Sequence, residues 1–461
     1  MPAPLRLPVL ILLLSAALGL GAQTSGQPQP SPAPAAPLAD HTRWSMETTD
    51  PSPHYTLDDD AIYEHWGVSV RKHALADGKV VWMVEGAYPF GGGDGRVFTL
   101  NQPSERDAVA PSFTEWLNHA YHAVDLVCMD AQTGKALWKA PVPTENPVAV
   151  GQGGVALIQS GLKPPVVAEQ EVLVGTFGGR LFKGRTGKLY AYSLVDGKPL
   201  WAFEAEDGVE HAPLIYKDLA LIGGVAACYG VDLKTGKQVW KAETRSDNQW
   251  TFTLAGDTLL MASGHYRAQN SMSGGTLYAL EAATGKVRWT FDIGGPSVLR
   301  VADGRVVGLE WGAFGGSRLT CLDLANGKKL WELKEKGTAW PVVVDGKAVH
   351  LDKDNRIHVV DLATGKAEAA IPAAGDFQMG FFSGPWGRFM DPMVLQGHAV
   401  VGSWDKGKKE TVLQVLDVKQ GKVIQERRLH GELQDVKDRG DLLVSLVKGT
   451  GTASTLQVDG R

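Results

Sequence analysis

The sequence predicts an all-β fold, most simply a β-propeller of eight four-stranded blades, and three observations carry that reading. First, a nine-residue pattern, D-x-x-[T/N/D]-G-K-x-x-W, recurs along the chain, with Gly-Lys kept in all eight copies. Second, the copies end at residues 82, 138, 201, 240, 289, 331, 369 and 425, so neighbours lie between 38 (331 to 369) and 63 (138 to 201) residues apart. A period of about 40 residues with insertions marks a propeller or solenoid, in which one unit buries its apolar faces only against the next. Third, the strand before each turn is apolar on both sides, as in Leu189-Tyr-Ala-Tyr, Leu319-Thr-Cys-Leu and Leu413-Gln-Val-Leu. A sheet sandwiched between two others needs that, whereas a one-faced sheet would alternate.

From the N-terminus, Arg6 followed by the apolar Leu7–Leu20 reads as a secretory signal peptide over residues 1–22, too short to span a bilayer comfortably. Residues 23–56 read as a linker and lead-in. Their Pro/Ala/Ser/Gln-rich part, Gln23–Ala39, cannot form a packed core. A single propeller domain is expected over 57–461. The chain is thus expected to be exported, periplasmic or extracellular, with no transmembrane segment in its mature form.

Within each repeat the residue types explain themselves. Asp and Thr, Asn or Asp hydrogen-bond their own backbone, and Gly supplies the positive φ that reverses the chain. The turn glycines are Gly78, Gly134, Gly197, Gly236, Gly285, Gly327, Gly365 and Gly421. Lys opens the outer strand and keeps its edge soluble. Trp82, Trp138, Trp201, Trp240, Trp289 and Trp331 are large enough to reach the next blade and lock it. The seventh and eighth copies have Ala369 and Gln425 in that slot. Stretches such as Ala212–Gly224, Pro341–Leu351 and Pro392–Gly402 supply the two inner strands of a blade. The last strands, around 441–447 and 454–458, are expected to close the propeller by joining the blade whose outer strand is Val80–Val84. A seven-bladed alternative would require one motif to be a decoy.

The net charge of −5 is mild and interspersed, and no basic stripe gives nucleic acid a footprint. Cys128 and Cys321 each stand ten residues before a motif Trp, in a slot filled elsewhere by Ala191, Gly230 and Ala279. That slot wants a small buried side chain, and Cys228 falls in a core slot as well. With the three on different blades, disulfides are not expected.

These repeats resemble the tryptophan-docking repeats of the pyrroloquinoline-quinone (PQQ)-type propellers. The family includes quinoprotein dehydrogenases and non-catalytic relatives such as the propeller subunit of the outer-membrane barrel-assembly machinery (BamB-type). The family pattern A-x-D-x-x-T-G-K-x-x-W is matched throughout Ala279–Trp289 apart from Glu281, and coverage runs from about Val70 to the C-terminus. A dehydrogenase of this family would imply PQQ, calcium, an Asp base and often two adjacent cysteines. No Cys-Cys pair occurs here, and no carboxylate aligns with the catalytic ones. The resemblance therefore implies a non-catalytic scaffold that binds a protein or envelope partner, and the chain is expected to be monomeric. A PQQ- and calcium-dependent dehydrogenase and a sugar- or polymer-binding propeller are the alternatives.

Two insertions hold candidate sites. Ser112-Phe-Thr-Glu115 is a capping box, and on the helix it would start, Glu115, His119 and His122 share one face and could ligate a metal. The other reading is a lid helix with its histidines in water. Phe377–Asp391 is rich in aromatics, and Trp386, Arg388 and Phe389 are side chains of the kind that anchor interfaces. They could equally fold back over the two blades that lack a motif Trp.

Overall fold

The computed structural model describes residues 38–460 apart from 40, 49–53, 67–68, 86, 94, 102–122, 144–160, 163–165, 169–170, 181–182, 207–208, 210–212, 225, 245–247, 268–270, 295–296, 312–316, 336–339, 353, 376–391 and 450–452. Among the described residues every regular element is a β-strand. The chain divides into two compact units. One is built around Val81–Lys241; the other takes the strands up to Trp66, Arg71–Val80 and Ala242–Arg461.

All strands pair in antiparallel sheets. Eight sheets come from consecutive stretches of chain: residues 54–85, 87–143, 161–205, 214–243, 248–293, 297–335, 342–372 and 393–430. Each carries one motif copy, at the hairpin joining its last two strands. These are the eight four-stranded blades of the propeller, numbered here one to eight. Blade three carries an extra short strand, Val166–Ala168, beside Glu171–Arg180.

The two ends of the chain share a closing sheet, ordered His41–Thr48, Ser454–Gly460, Leu442–Lys448, Glu432–Arg439. This corrects one detail of the sequence reading. The outer strand Val80–Glu85 completes a sheet made wholly of residues 54–85, and the closing sheet is a separate sheet that packs against it. The inner strands His54–Leu57 and Ala61–Trp66 are too polar to be recognised as buried strands. Sheet-forming sequence thus begins at His41, ahead of residue 57.

The third strand of each blade is covered on both faces. In blade two Leu126–Met129 are all buried, and in blade six Leu319–Leu322. Packing neighbours of the same character fill the clusters, for example Leu260, Ala262, Leu277, Leu299 and Val306 between blades five and six. This burial of contiguous apolar strands is the main stabilising term.

A four-stranded meander also fixes where connections lie. In each blade the motif hairpin and the hairpin between the first two strands share one end. The connection between the middle strands and the crossing to the next sheet share the other. The three longest connections, which contain residues 102–122, 144–160 and 376–391, all belong to this second, non-motif end. Two hairpins run on beyond their blades' core ladders: Tyr266 pairs with Met272 and Arg267 with Ser271, and Arg180 pairs with Lys183. Continuing the ladder satisfies the backbone groups that a loop would leave to water.

Candidate functional site

The motif turn is held by its own side chains. In blade two Asp130 Oδ1 accepts hydrogen bonds from the backbone N–H of Thr133 at 2.7 Å, from that of Gln132 at 3.1 Å and from Thr133 Oγ1 at 2.7 Å. Asp232 with Thr235 and Asp361 with Thr364 repeat the pattern. The Asp361 carboxyl is held below its ordinary range, first by Lys347 and then by Thr364.

Against the turn glycines Gly78, Gly134, Gly197, Gly236, Gly327 and Gly365 lies the indole of a preceding sheet. Trp82 Nε1 donates to the Ala131 carbonyl at 3.1 Å, Trp201 to Leu233 at 2.7 Å, Trp289 to Leu324 at 2.9 Å and Trp331 to Leu362 at 2.9 Å. The rings lie flat on the turn glycines. A Cβ on Gly327, which has φ +72°, would stand 2.5 Å from the Trp289 ring, and one on Gly134 would stand 2.7 Å from Trp82. Only Gly tolerates both that conformation and that approach.

The register also explains the small slot noted in the sequence. Directly across the ladder from Trp138, Trp201, Trp289 and Trp331 stand Cys128, Ala191, Ala279 and Cys321. In blade four Gly230 lies against Trp240, where any Cβ would overlap the indole. Where the Trp is missing, the opposite residue grows: Val359 faces Ala369, and Val415 faces Gln425.

Both Trp-less positions are bridged by glutamines. After blade seven, Gln414 Oε1 accepts from the Ala374 N–H at 2.8 Å, with Gln414 Nε2 3.5 Å from the Pro372 carbonyl. After blade eight, Gln425 grips both backbone groups of Leu38, accepting from its N–H at 2.8 Å and donating to its carbonyl at 3.2 Å. Gln396 Oε1 accepts from the Ala39 N–H at 3.1 Å. Arg427 donates to the Ala39 carbonyl and forms an ion pair with Asp459, both side chains being buried.

Three other polar groupings stand out. In blade one buried His73 and Glu64 pair at 3.1 Å, with Arg71 at 3.7 Å. Burial pushes the Glu64 carboxyl up, but hydrogen bonds from His73 and Thr48 outweigh it and leave it lowered. In blade seven the rings of His350 and His358 stack with centroids 5.0 Å apart, and His358 Nε2 lies 2.7 Å from Asp352 Oδ2. Burial, with His358 adding to it, pushes His350 down to about 3. In blade eight Arg428 spans Asp405 and Glu410, each at 3.5 Å. The cysteines are free and buried, and burial pushes the Cys128 and Cys321 thiols up to about 11. Among the described residues no group of three or more His, Cys, Asp and Glu could hold a metal ion.

Of the candidates read from the sequence, Glu115, His119 and His122 lie outside the described residues, as do Trp386, Arg388 and Phe389. What sequence reasoning missed is a regular exposed position. The residue before the Trp slot is an exposed aliphatic in six copies: Val81, Leu137, Leu200, Val239, Leu330 and Ile424. The signal was in the motif itself, as G-K-x-[V/L/I] ahead of the Trp slot.

The family model described as outer membrane protein assembly factor BamB matches residues 122–246 and 223–445, together more than half of the chain. No curated protein matches the sequence. Among solved structures, BamB from Moraxella catarrhalis is similar at 15% identity and a TM-score of 0.47, over 90% of this chain and 98% of that one. A quinohemoprotein alcohol dehydrogenase from Pseudomonas putida is similar at 13% identity and a TM-score of 0.47, over 91% and 76%. The computationally designed Ika8 protein is similar at 14% identity and a TM-score of 0.43, over 82% and 97%.

Proposed function

The chain belongs to the family described as outer membrane protein assembly factor BamB, and we propose that it is an exported scaffold that binds a protein partner of the cell envelope. The observation that carries this reading is the match of the family model over residues 122–445. The blade topology supports a partner surface at the non-motif ends. All three of the longest connections leave from the non-motif ends of their blades, among them the stretch with Trp386, Arg388 and Phe389. Loops on a rigid scaffold are where binding residues accumulate, and aromatic and Arg side chains are the usual anchors. The motif ends, by contrast, are used up by short self-bonded turns.

In the same reading the Trp-to-turn contact is a docking device. It joins consecutive blades into a frame stiff enough to present loops without moving them. A signal peptide over residues 1–22 would export the chain, and the Pro/Ala-rich segment would tether the propeller flexibly.

Photo-crosslinking from positions 386, 388 and 389 in envelope preparations tests the proposal, with exposed motif-turn positions Lys135 and Lys237 as controls. A discrete protein adduct from the first set, lost in the other two positions when Trp386→Ala and Arg388→Ala are introduced, is the expected result. Equal adducts from the motif turns, or none from either set, would contradict it.

A further inference from the structure

The eighth repeat departs from its siblings at two inward-facing slots. Its outer strand, Lys422–His430, has Gln425 where six others have Trp and the seventh has Ala369, and Arg427 two residues on. That second slot holds Ala140, Phe203, Ala242, Phe291, Leu333 and Ile371 in six other repeats. Two polar side chains thus replace two apolar ones at a buried junction. Such a change is tolerable only if each polar atom meets a partner.

The partners are the backbone of Leu38 and Ala39 and the carboxylate of Asp459. Leu38 and Ala39 are themselves buried, packed with Leu395, Val400 and Leu429 of blade eight and Leu433 and Leu443 of the closing sheet. Directly after them comes His41–Thr48, the outer strand of the closing sheet, which pairs with Ser454–Gly460 alone. Thr42 Oγ1 donates to Asp459 Oδ1 at 2.9 Å, so the ion pair also touches that strand. At the far end Thr48 hydrogen-bonds Glu64 of blade one.

We propose that residues 38–39 and 41–48 form a strap, with a peptide-backbone-reading site on blade eight as its buckle, and that it releases as one unit before any junction between two motif blades opens. Gln425, Gln396 and Arg427 read the backbone rather than the side chains of Leu38 and Ala39. The site therefore accepts an extended segment of almost any small apolar sequence. Releasing the strap detaches one edge strand, laddered on one side only, together with Trp44 and the buried Leu38 and Ala39. Opening a junction between motif blades parts two whole sheets, with an indole and a full apolar cluster, which costs more. Local openings draw first on the element with the least packing to break.

Hydrogen exchange on the intact chain tests it. In the wild-type protein the amides of residues 44–48 are expected to exchange about a hundredfold faster than those of Leu442–Lys448, through local opening. Gln425→Ala removes two hydrogen bonds and is expected to speed exchange of 44–48 by roughly a further tenfold while leaving 442–448 unchanged. Gln396→Ala should do the same to a smaller degree, which guards against one variant failing to fold. Exchange of 44–48 in step with 442–448, in the wild type and in both variants, would overturn the strap. Trp44 is covered by the same prediction, since its Nε1 donates to the Leu75 carbonyl at 3.0 Å only while the strap is seated.

Discussion

Blades five and six, set against blade eight and the closing sheet, solve one packing task with opposite chemistry. Between the first pair a Trp289 indole covers Gly327 and makes one hydrogen bond, amid an apolar cluster. Between the second pair a glutamine, an arginine and an aspartate hold the backbone of a chain segment brought from far away in sequence. The first solution is local, repeated and apolar. The second is made once, where the two ends of the chain have to meet. A non-directional contact suits a joint that repeats, whereas directional hydrogen bonds specify which segment enters a joint that occurs once.

The comparison can be broken by substitution. Trp331→Ala is expected to cost about 3–5 kcal/mol, read as a lowered urea midpoint, because it removes a buried aromatic and leaves a cavity. Arg427→Met is expected to cost a similar 3–5 kcal/mol by stranding Asp459, and the double variant Arg427→Met with Asp459→Leu should recover most of that loss. Gln425→Ala should cost only about 1–2 kcal/mol. A Gln425→Ala loss as large as that of Trp331→Ala would erase the distinction.

Glycines sharpen it next. Gly327→Ala meets both a positive φ and the Trp289 ring, whereas Gly346→Ala, at φ +69°, meets nothing within 4 Å. Backbone strain alone costs about 1–2 kcal/mol, so Gly346→Ala should lose that much and Gly327→Ala clearly more. Equal losses would mean that the indole yields freely.

Blade seven, which lacks the Trp, carries a titration instead. His350 is depressed to about 3 in the folded chain, against an ordinary value of 6.5. The unfolded chain therefore binds the extra proton between those values. Stability from this group is fully present above pH 6.5 and drains as pH falls toward 3, by of the order of a few kcal/mol. His350→Phe should flatten that acid limb in pH-dependent denaturation. The smallest effect concerns the thiols: with Cys128 and Cys321 raised to about 11, a thiol reagent at pH 8 should react with neither until the protein unfolds.

Much of this architecture was legible in the sequence, for physical reasons that differ between elements. The Asp-Thr-Gly-Lys turn bonds to itself, so a local sequence suffices to specify it. The small residue across from each Trp was visible as a slot; its cause needed the register. Closure by the last strands was read correctly, but the N-terminal strand that joins them was missed because Trp44 sits in a strand, HTRWSMET, with no Gly-Lys turn before it. Counting would have found it. Eight turn glycines each need a covering side chain, and the first, Gly78, had no motif Trp upstream; Trp44 is the one that covers it. Gln425 and Arg427 were legible as departures from the repeat, but their partners lie 387 and 388 residues away, beyond any local pattern. The loop candidates are legible only as composition, since their chemistry depends on which distant blades they meet.

We propose that this propeller is a scaffold rather than a quinoprotein enzyme. The most direct test is titration of the purified mature protein, stripped of metal, with PQQ in the presence and absence of calcium, followed by Trp emission. The prediction is no saturable quenching under either condition. Saturable, calcium-dependent quenching at micromolar or tighter affinity would contradict the claim and point to a redox centre.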